Sequence, residues 1–234
     1  MTTIIAKKSD WARLFGVAGA YVKEAKIMVE NNKVSCLAVD PAHVAIIKCS
    51  IKCEGTFDGS VCVNVEQFMK ALNACGGEQP IIEVDDYVTE LKFIGTATIK
   101  MPLLADLGEI RDIPRDMFEG EIASGTFVPG NLEQPISYCM WGKEQIVSIK
   151  MKDSKLTFEI GTDRNTAEII SDTPATGIDA ESTYPLDYFE ALIKQTKGTD
   201  TVTIEIPQSN YPMQAKWNVG TGHYSVVIAP RVEQ

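Results

Sequence analysis

Two neighbouring carboxylates, Asp85 and Asp86, are the residues whose types and spacing could do chemistry. Such a pair can divide general acid and base roles or hold a divalent cation. It can equally form a solvated turn, because adjacent strand residues point to opposite faces and the pair interrupts two apolar runs. His43 has no second histidine near it in the sequence, and a lone histidine at a turn is usually structural or a surface contact. The pattern favours a turn over an active site.

The common catalytic signatures are missing from the sequence. It contains no GxSxG, HExxH, phosphate-binding loop or GxGxxG pattern. Its six cysteines include no CxxC pair, and His43 and His223 are the only histidines that could complete a zinc site. We expect the cysteines to be buried, reduced thiols. The sequence thus predicts no catalytic residue, no metal site and no cofactor.

Length and composition indicate a folded, water-soluble protein. The 234 residues can form one large domain or two of about 115 residues each. No apolar run reaches the roughly 18 residues of a membrane helix, and the N-terminal MTTIIAKKSDW lacks the order of a secretory signal. We expect an intracellular protein with no membrane partner.

Hydrophobic spacing predicts the elements of the first half. Apolar residues at helical spacing predict a helix over 9–24 with Ser9 as its cap, and a second helix over 65–75 that two glycines end. Residues 26–39, 44–53 and 81–94 alternate like antiparallel strands, with turns at Asn31-Asn32 and Asp85-Asp86. These segments describe one α+β unit.

The second half repeats this order. The predicted elements are a strand near 120–127, a weaker helix near 129–141, strands over 144–151, 154–160 and 165–171, a helix over 185–197 and three closing strands. The predicted helices begin at 9 and 65 in one half and at 129 and 185 in the other, so their separation is the same. We therefore predict two similar domains, 1–104 and 120–234, joined by an extended linker over 105–119.

Charge along the chain is segregated. The net charge of -10 disfavours nucleic acid as a partner if it is spread evenly. Residues 7–26, however, contain five cations and two acids. A solvated helix face explains any one of these cations, whereas their position on one element favours a cationic face for a polyanion. Both interpretations stay open at this point.

Three motifs and the repeated organisation carry a resemblance to a known family. The motifs are AVDPAHVAIIKCSI at 38–51, YPLDYFEALIKQTK at 184–197 and IAPRVE at 228–233. With two βαβββαβββ halves and an acidic linker, they resemble the DNA sliding clamps of archaea and eukaryotes, the proliferating cell nuclear antigen (PCNA) family. The residues that match the family pattern are Asp40, His43, Val44, Ile46, Ala229, Pro230, Arg231, Val232 and Glu233. The resemblance covers essentially the whole chain.

The resemblance implies an α+β fold and a homotrimeric ring of six clamp-type domains, with antiparallel sheets outside and helices lining the inner face around duplex DNA. It implies a non-enzymatic processivity factor that a clamp loader opens, and that tethers DNA polymerase, flap nuclease and ligase through short peptide motifs. Contact with the DNA backbone reads no base, which suits sliding. The cations implied at the inner face are Lys7, Lys8, Arg13, Lys23, Lys70, Lys143, Lys194 and Lys197.

Two further surfaces are implied by the resemblance. The ring is expected to close between a strand near 97–104 and a strand near 165–171 of the next subunit, through Ile99, Met101, Leu103, Ala167, Ile169 and Ile170. Partner peptides are expected in a groove formed by Val39, Asp40, His43, Val44, Ile46, Leu107, Ile110, Ile113, Pro114, Pro212, Val227, Ala229 and Pro230. Alternatively, these apolar residues simply complete the core of a sheet.

The chain departs from the family pattern at two prolines. Pro135 and the shortage of cations over 129–143 argue against DNA contact by that helix. Pro102 cannot donate to a strand ladder, so we expect a shortened or bulged edge strand and a weaker ring.

Two alternatives to a homotrimeric clamp remain from the sequence. One is a hetero-oligomeric or non-loading clamp-fold subunit, and the other is a metal-dependent hydrolase that relies on Asp85, Asp86 and His43. The sequence shows no tail after Gln234 and no basic nuclear-localisation run. This favours the cytoplasm and nucleoid of an archaeon over a eukaryotic nucleus.

Overall fold

The computed structural model describes residues 1–110, 114–140, 145–162, 165–196 and 201–231. They form two compact units. The first unit contains Met1–Pro41, Ile47–Asp112 and Asn218–Tyr224, and the second contains Ala42–Ile46, Ile113–Trp217 and Ser225–Gln234. The domain boundaries given above follow the order of the chain, and they stay a prediction.

The first half of the chain alternates helices with antiparallel strands. In chain order the elements are β1 (Thr2–Ile5), α1 (Lys8–Gly19), β2 (Glu24–Glu30), β3 (Lys33–Val39), β4 (Ala45–Lys52), β5 (Glu54–Gly55), β6 (Gly59–Asn64), α2 (Val65–Cys75), β7 (Ile81–Val84), β8 (Glu90–Ile94) and β9 (Thr98–Pro102). One sheet has the strand order β5-β1-β7-β8-β9, and β4-β3-β2-β6 run side by side.

The second half repeats the arrangement. After a 3₁₀ turn at Arg115–Phe118 come β10 (Ala123–Phe127), α3 (Gly130–Cys139), β11 (Ile146–Lys152), β12 (Lys155–Gly161), β13 (Thr166–Ile170), β14 (Ala180–Pro185), α4 (Leu186–Gln195), β15 (Val202–Ile206), β16 (Met213–Val219) and β17 (Gly222–Ile228). One sheet has the order β13-β12-β11-β14, and β10-β15-β16-β17 run side by side. The predicted α+β class with antiparallel sheets is confirmed.

Apart from the two-residue β5, each half has four strands between its helices, where the sequence predicted three. The missed strands, β6 and β14, each run directly into a helix with no turn between them. Asn64 ends β6 and also caps α2, because its side chain accepts a hydrogen bond from Gln67 N at 2.9 Å. A strand that shares its last residue with a helix cap leaves no gap in the sequence pattern.

Helix α1 is shorter than predicted. It begins at Lys8 with Lys7 as its N-terminal boundary residue and no side-chain cap, so Ser9 is not the cap. It ends at Gly19, although Val22 keeps the apolar spacing and is only 7% exposed. The chain buries Val22 from a turn and not from a helix. Lys23 therefore lies in the connection between α1 and β2.

Aromatic residues fill the core of each unit beneath its helices. In the first unit the rings of Phe15 and Phe68 lie 4.2 Å apart, and in the second unit those of Phe127 and Phe158 lie 5.0 Å apart. Such pairs contribute about 0.5–1.5 kcal/mol each beyond the area that they bury. The predicted core stripes of α1 and α4 are confirmed by the burial of Trp11, Leu14, Phe15, Ala18, Leu186, Phe189, Leu192 and Ile193.

The cysteines behave as apolar core residues. All six are buried and free, as expected from the sequence. Burial raises the pKa of the Cys36 thiol to about 12, so this thiol stays protonated at neutral pH. Among the described residues, no group of three or more His, Cys, Asp or Glu side chains is placed to hold a metal ion. In the same part of the chain, no helix is long and apolar enough to cross a membrane.

Candidate functional site

The Asp85-Asp86 pair lies in the turn between β7 and β8. The Asp85 carboxylate accepts hydrogen bonds from Thr89 N, from Thr89 Oγ1 at 2.9 Å and from Glu90 N at 2.8 Å. The bond from Glu90 N is the main reason that the pKa of Asp85 is lowered. Asp86 Oδ1 lies 2.6 Å from the N-terminal ammonium of Met1. The Asp85 carboxylate is thereby held ionised, and both aspartates make contacts that stabilise the turn, as the turn interpretation requires.

His43 has a conformational reason for its position. It is exposed, and its φ of 57° lies in the left-handed region, where histidine occurs more readily than a β-branched residue. His223 Nδ1 lies 2.7 Å from Asn218 Oδ1, so the second histidine is engaged locally. The two histidines therefore serve local turn and side-chain contacts.

Four of the predicted inner-face cations lie on or beside α1. Lys7 and Lys23 are exposed, and Lys8 and Arg13 are half-buried. Within the described ranges, none of these four side chains forms an ion pair with a carboxylate. Their charge is therefore not neutralised locally, and it is available to an anionic partner.

The remaining predicted cations differ from this group. Lys70 forms an ion pair with Glu66 one turn away in α2, and Lys194 Nζ lies 2.8 Å from Glu190 Oε1 in α4. Helix α3, GNLEQPISYC, contains no lysine or arginine and has Pro135 inside it. Lys143 and Lys197 lie outside the described residues. Unpaired positive charge on the described helices is thus concentrated at α1.

Strand β9 is an edge strand of the first unit. Leu103 N donates to Thr89 O across the strand pair at 2.9 Å. Because inward and outward groups alternate in an antiparallel pair, Thr98, Lys100 and Pro102 direct their backbone groups away from β8.

Strand β13 is an edge strand of the second unit. Here Ser171 N donates to Leu156 O at 2.9 Å. The same alternation directs the backbone groups of Thr166, Glu168 and Ile170 away from β12. The Ile170 side chain is 56% exposed, so both its backbone and its side chain are available to another chain.

Three other edge strands, β6, β10 and β14, have their free sides covered by a segment of the same unit. Leu104 N donates to Cys62 O beside β6 at 2.9 Å, Thr176 N to Ser124 O beside β10 at 2.8 Å, and Arg231 N to Thr183 O beside β14 at 2.7 Å. In the part of the chain that the structure describes, no segment covers β9 or β13 in this way. An uncovered edge is a template for pairing with another chain.

Pro102 does not shorten or bulge β9, contrary to the prediction. The pairing of β9 with β8 is continuous from Ile94↔Thr98 to Glu90↔Pro102. The hydrogen bonds between β9 and β8 do not use the backbone nitrogen of residue 102. The proline therefore removes only one donor, from the free edge of β9.

The predicted interface residues also need one correction. Met101 is 4% exposed and belongs to the core, so it is not available as a contact. The others are half-buried or exposed on the two edge regions, namely Ile99, Leu103, Ala167, Ile169 and Ile170.

A pocket of about 530 Å³ in the first unit brings together three predicted groove residues. These are Val39, Leu107 and Ile110, and the pocket is completed by Tyr21, Val22, Lys23, Glu24, Ala38 and Pro41. Asp40 is only 3% exposed, so it offers almost no surface to a ligand. The lining is largely apolar side chains, which suits an apolar anchor of a ligand.

The second unit holds most of the other predicted groove residues. Ala229 N donates to Val44 O at 2.8 Å, which brings these two residues together. Val227 is 4% exposed, so it belongs to the core and offers no surface to a peptide. Ile46, Pro212 and Pro230 are half-buried, Pro114 is exposed, and Ile113 lies outside the described residues.

Comparison with known proteins identifies relatives along the whole chain. No protein-family model matches it. The DNA polymerase sliding clamp of Thermococcus fumicolans is 24% identical over 243 residues, which cover 96% of this chain and 95% of the relative. The A. fulgidus PCNA bound to the C-terminal region of FEN-1 has a TM-score of 0.84 at 22% identity, with both chains covered completely. A PCNA2-PCNA3 complex from Sulfolobus tokodaii gives 0.79 at 19% identity, again over both whole chains.

The chain is similar to DNA polymerase sliding clamps over nearly its whole length.

Sequence reasoning missed one side-chain cluster of this clamp-like chain. Lys26 Nζ lies 2.8 Å from Asp106 Oδ1 and donates to Gly108 O at 3.1 Å, while Leu107 N donates to Cys62 Sγ at 3.4 Å. The bond from Lys26 lowers the pKa of Asp106. The sequence showed Lys26 only as one more cation near α1. Nothing local could have revealed a partner 80 residues away.

Proposed function

We propose that the chain is the subunit of a DNA polymerase sliding clamp. Three copies form a ring around duplex DNA and hold replication and repair proteins to it, without catalysing a reaction themselves. The observation that carries this proposal is the pair of uncovered edges, β9 on one unit and β13 on the other. A contact between two different edges of identical subunits closes a ring when the rotation is right. Relatives matched along more than nine-tenths of the chain are named DNA polymerase sliding clamps, which supports it.

Contact with DNA is assigned to the unpaired cations at α1. The protein as a whole carries a net charge of -10, so most of its surface repels phosphate. A small cationic face then holds the backbone loosely and without sequence preference, which allows sliding. The proposed location is wherever the DNA lies, the cytoplasm and nucleoid of an archaeon or the nucleus of a eukaryote.

Two measurements test the proposed function. We expect the purified protein to have a mass in solution near three times 25.7 kDa. With a clamp loader, ATP and polymerase, it should lengthen the products made on primed circular DNA. A linear template with free ends is the control, because a ring slides off it. A protein that leaves product length unchanged on the circular template would contradict the proposal.

A second candidate is a clamp-fold subunit that assembles only with a different chain. The missing donor at Pro102 favours it, because a self-pairing through β9 lacks one hydrogen bond. The PCNA2-PCNA3 complex of S. tokodaii is an assembly of two such different chains. Such a subunit would run as a monomer or a dimer on its own, so the same mass measurement separates the two candidates.

Partner proteins are proposed to dock a short peptide. The proposed contacts are the pocket beside Leu107 in the first unit and, separately, Val44 with its neighbour Ala229 in the second unit. DNA polymerase, clamp loader, flap nuclease and ligase are the proposed partners. The A. fulgidus relative was solved with the C-terminal region of FEN-1, which supports a terminal peptide as the ligand. A few buried anchors supply most of the affinity in such contacts.

The variant Val44→Asp is expected to weaken binding of a labelled flap-nuclease C-terminal peptide by at least about 10-fold, because a carboxylate must lose water beside apolar anchors. Fluorescence anisotropy measures the affinity, and the mass in solution checks that the assembly persists. Val128→Asp is the matched control, since Val128 is 46% exposed and lies just after β10. Equal affinities for wild type and Val44→Asp would remove Val44 from the groove.

A further inference from the structure

The segment that follows β9 is attached to the first unit at its very start. Leu104 N donates to Cys62 O at 2.9 Å, so residue 104 pairs with β6 like one residue of an additional strand. Three residues later, Leu107 N donates to Cys62 Sγ at 3.4 Å. Cys62 itself is 4% exposed. The chain from 104 to 107 therefore covers this thiol.

Lys26 makes the second attachment. From β2 its ammonium reaches both Asp106 Oδ1 and Gly108 O, so one side chain holds two points of the segment. Asp106 Oδ1 also accepts from Gly108 N at 3.2 Å, which tightens the turn between them. Gly108 has a φ of +75°, a left-handed conformation that glycine adopts without strain. The lysine side chain is 21% exposed, which makes it part of the unit's packed surface.

These attachments lie next to the two residues of the segment that line the pocket. Leu107 lies between the two points that Lys26 holds, and Ile110 follows two residues after Gly108. Both line the 530 Å³ pocket together with Val39 and Pro41. Leu107 is 39% exposed, so little apolar packing holds it in place. Its position therefore depends more on the polar attachments of the segment.

We propose that Lys26 is a positioning residue for partner binding, whose bonds to Asp106 and Gly108 hold Leu107 and Ile110 as a preformed wall of the pocket. The inference rests on the proposed function and names the ligand class as an extended peptide with an aromatic or aliphatic anchor. A wall that is ordered before binding removes an entropic cost from the binding step. Without Lys26, the peptide itself must order this wall.

The buried thiol gives a readout that needs no partner. In Lys26→Met the segment opens more often, and Cys62 is expected to react with a soluble alkylating reagent at least about 10-fold faster, because opening controls access to a covered group. Mass spectrometry of peptides measures the rate at each cysteine. Cys36 and Cys49, buried in β3 and β4, are internal references whose rates should not change.

Lys92→Met is the matched control variant. Lys92 Nζ pairs with Glu83 Oε2 at 2.8 Å on neighbouring strands of the same unit, and its side chain is 32% exposed. Its removal deletes a comparable ion pair without touching the segment at 104–110. We expect wild-type reactivity at Cys62 in this variant. An unchanged Cys62 rate in Lys26→Met would overturn the proposal.

The second readout is the affinity for the labelled flap-nuclease peptide. Lys26→Met is expected to lower it by about 5- to 10-fold, since the segment must now be ordered on binding. Asp106→Ala should lower it similarly, and the double variant should add little, because both changes open the same segment. A faster Cys62 reaction with an unchanged peptide affinity would also overturn the proposal.

A failure of the proposed function and a failure of the proposed role of Lys26 give different results. If wild-type protein fails both to bind the peptide and to stimulate polymerase, the proposed function itself fails, and the role of Lys26 in partner binding falls with it. If wild type does both and Lys26→Met binds as tightly, only the role of Lys26 is lost. A Lys26 that faced DNA instead would change salt-dependent DNA binding and leave Cys62 reactivity as it is.

Discussion

The variant Ile170→Pro is expected to run as a 25.7 kDa monomer under conditions where the wild type runs near three times that mass. Residue 170 directs its N–H to the free edge of β13, so proline there deletes an outward donor and spares the ladder with β12. Its ring also obstructs the approach of a neighbouring strand. Light scattering coupled to size exclusion measures the mass.

Two other variants sharpen this experiment. Ile169→Pro is a poorer test. Residue 169 forms its backbone hydrogen bonds with β12, so a proline there destabilises the unit itself. Pro102→Val should strengthen the contact between subunits, because it restores an outward donor on β9. The ring should then dissociate more slowly on dilution. A trimer that survives Ile170→Pro, with Pro102→Val also without effect, would place the subunit contact on other surfaces.

Neutralising Lys7, Arg13 and Lys23 together is expected to weaken DNA binding and flatten its dependence on salt. Each cation that no longer bonds a phosphate reduces the slope of log K against log salt by about 0.9, so three such cations change it by up to about 2.7. The effect should be uniform across DNA sequences, because backbone contacts read no bases. Titrations of a labelled duplex at several salt concentrations measure the slope.

The paired cations supply the matched control for this triple variant. Lys70 and Lys194 each have a glutamate partner on the same helix, so their net contribution to the local potential is small. We expect Lys70→Met with Lys194→Met to change the slope much less. If the two sets of variants change the slope of log K against log salt equally, the absence of ion pairs at the α1 cations does not identify the surface that contacts DNA.

Much of the fold was predictable because it follows from local patterns. The helices α2 and α4 bury one apolar face each, and their bounds agree with the predicted ones within about two residues. The Asn31-Asn32 turn was predictable because both residues adopt left-handed conformations, with φ of 52° and 58°, which asparagine tolerates. Such signals need no knowledge of distant residues.

The errors have physical causes of two kinds. Val22 kept the spacing of α1 beyond its end, because a turn can bury an apolar residue as well as a helix can. Pro102 was expected to shorten or bulge the edge strand. The alternation of hydrogen bonds along β9 instead places its missing donor on the free side, which the sequence does not reveal. The contact between Lys26 and Asp106 depends on tertiary folding alone. Sequence spacing therefore predicted most of the helices and strands, and it could not assign the hydrogen bonds between distant residues.

The outward position of Pro102 matters before any ring exists. A newly made subunit carries the uncovered edges of β9 and β13, and like edges of separate copies can stack into open-ended aggregates. A pairing of β9 with another β9 would lack the proline donor on both strands, whereas a pairing of β9 with β13 lacks it on one. The proline thus penalises a pairing of β9 with β9 twice and the proposed pairing of β9 with β13 once. It therefore disfavours aggregation of unassembled chains through β9.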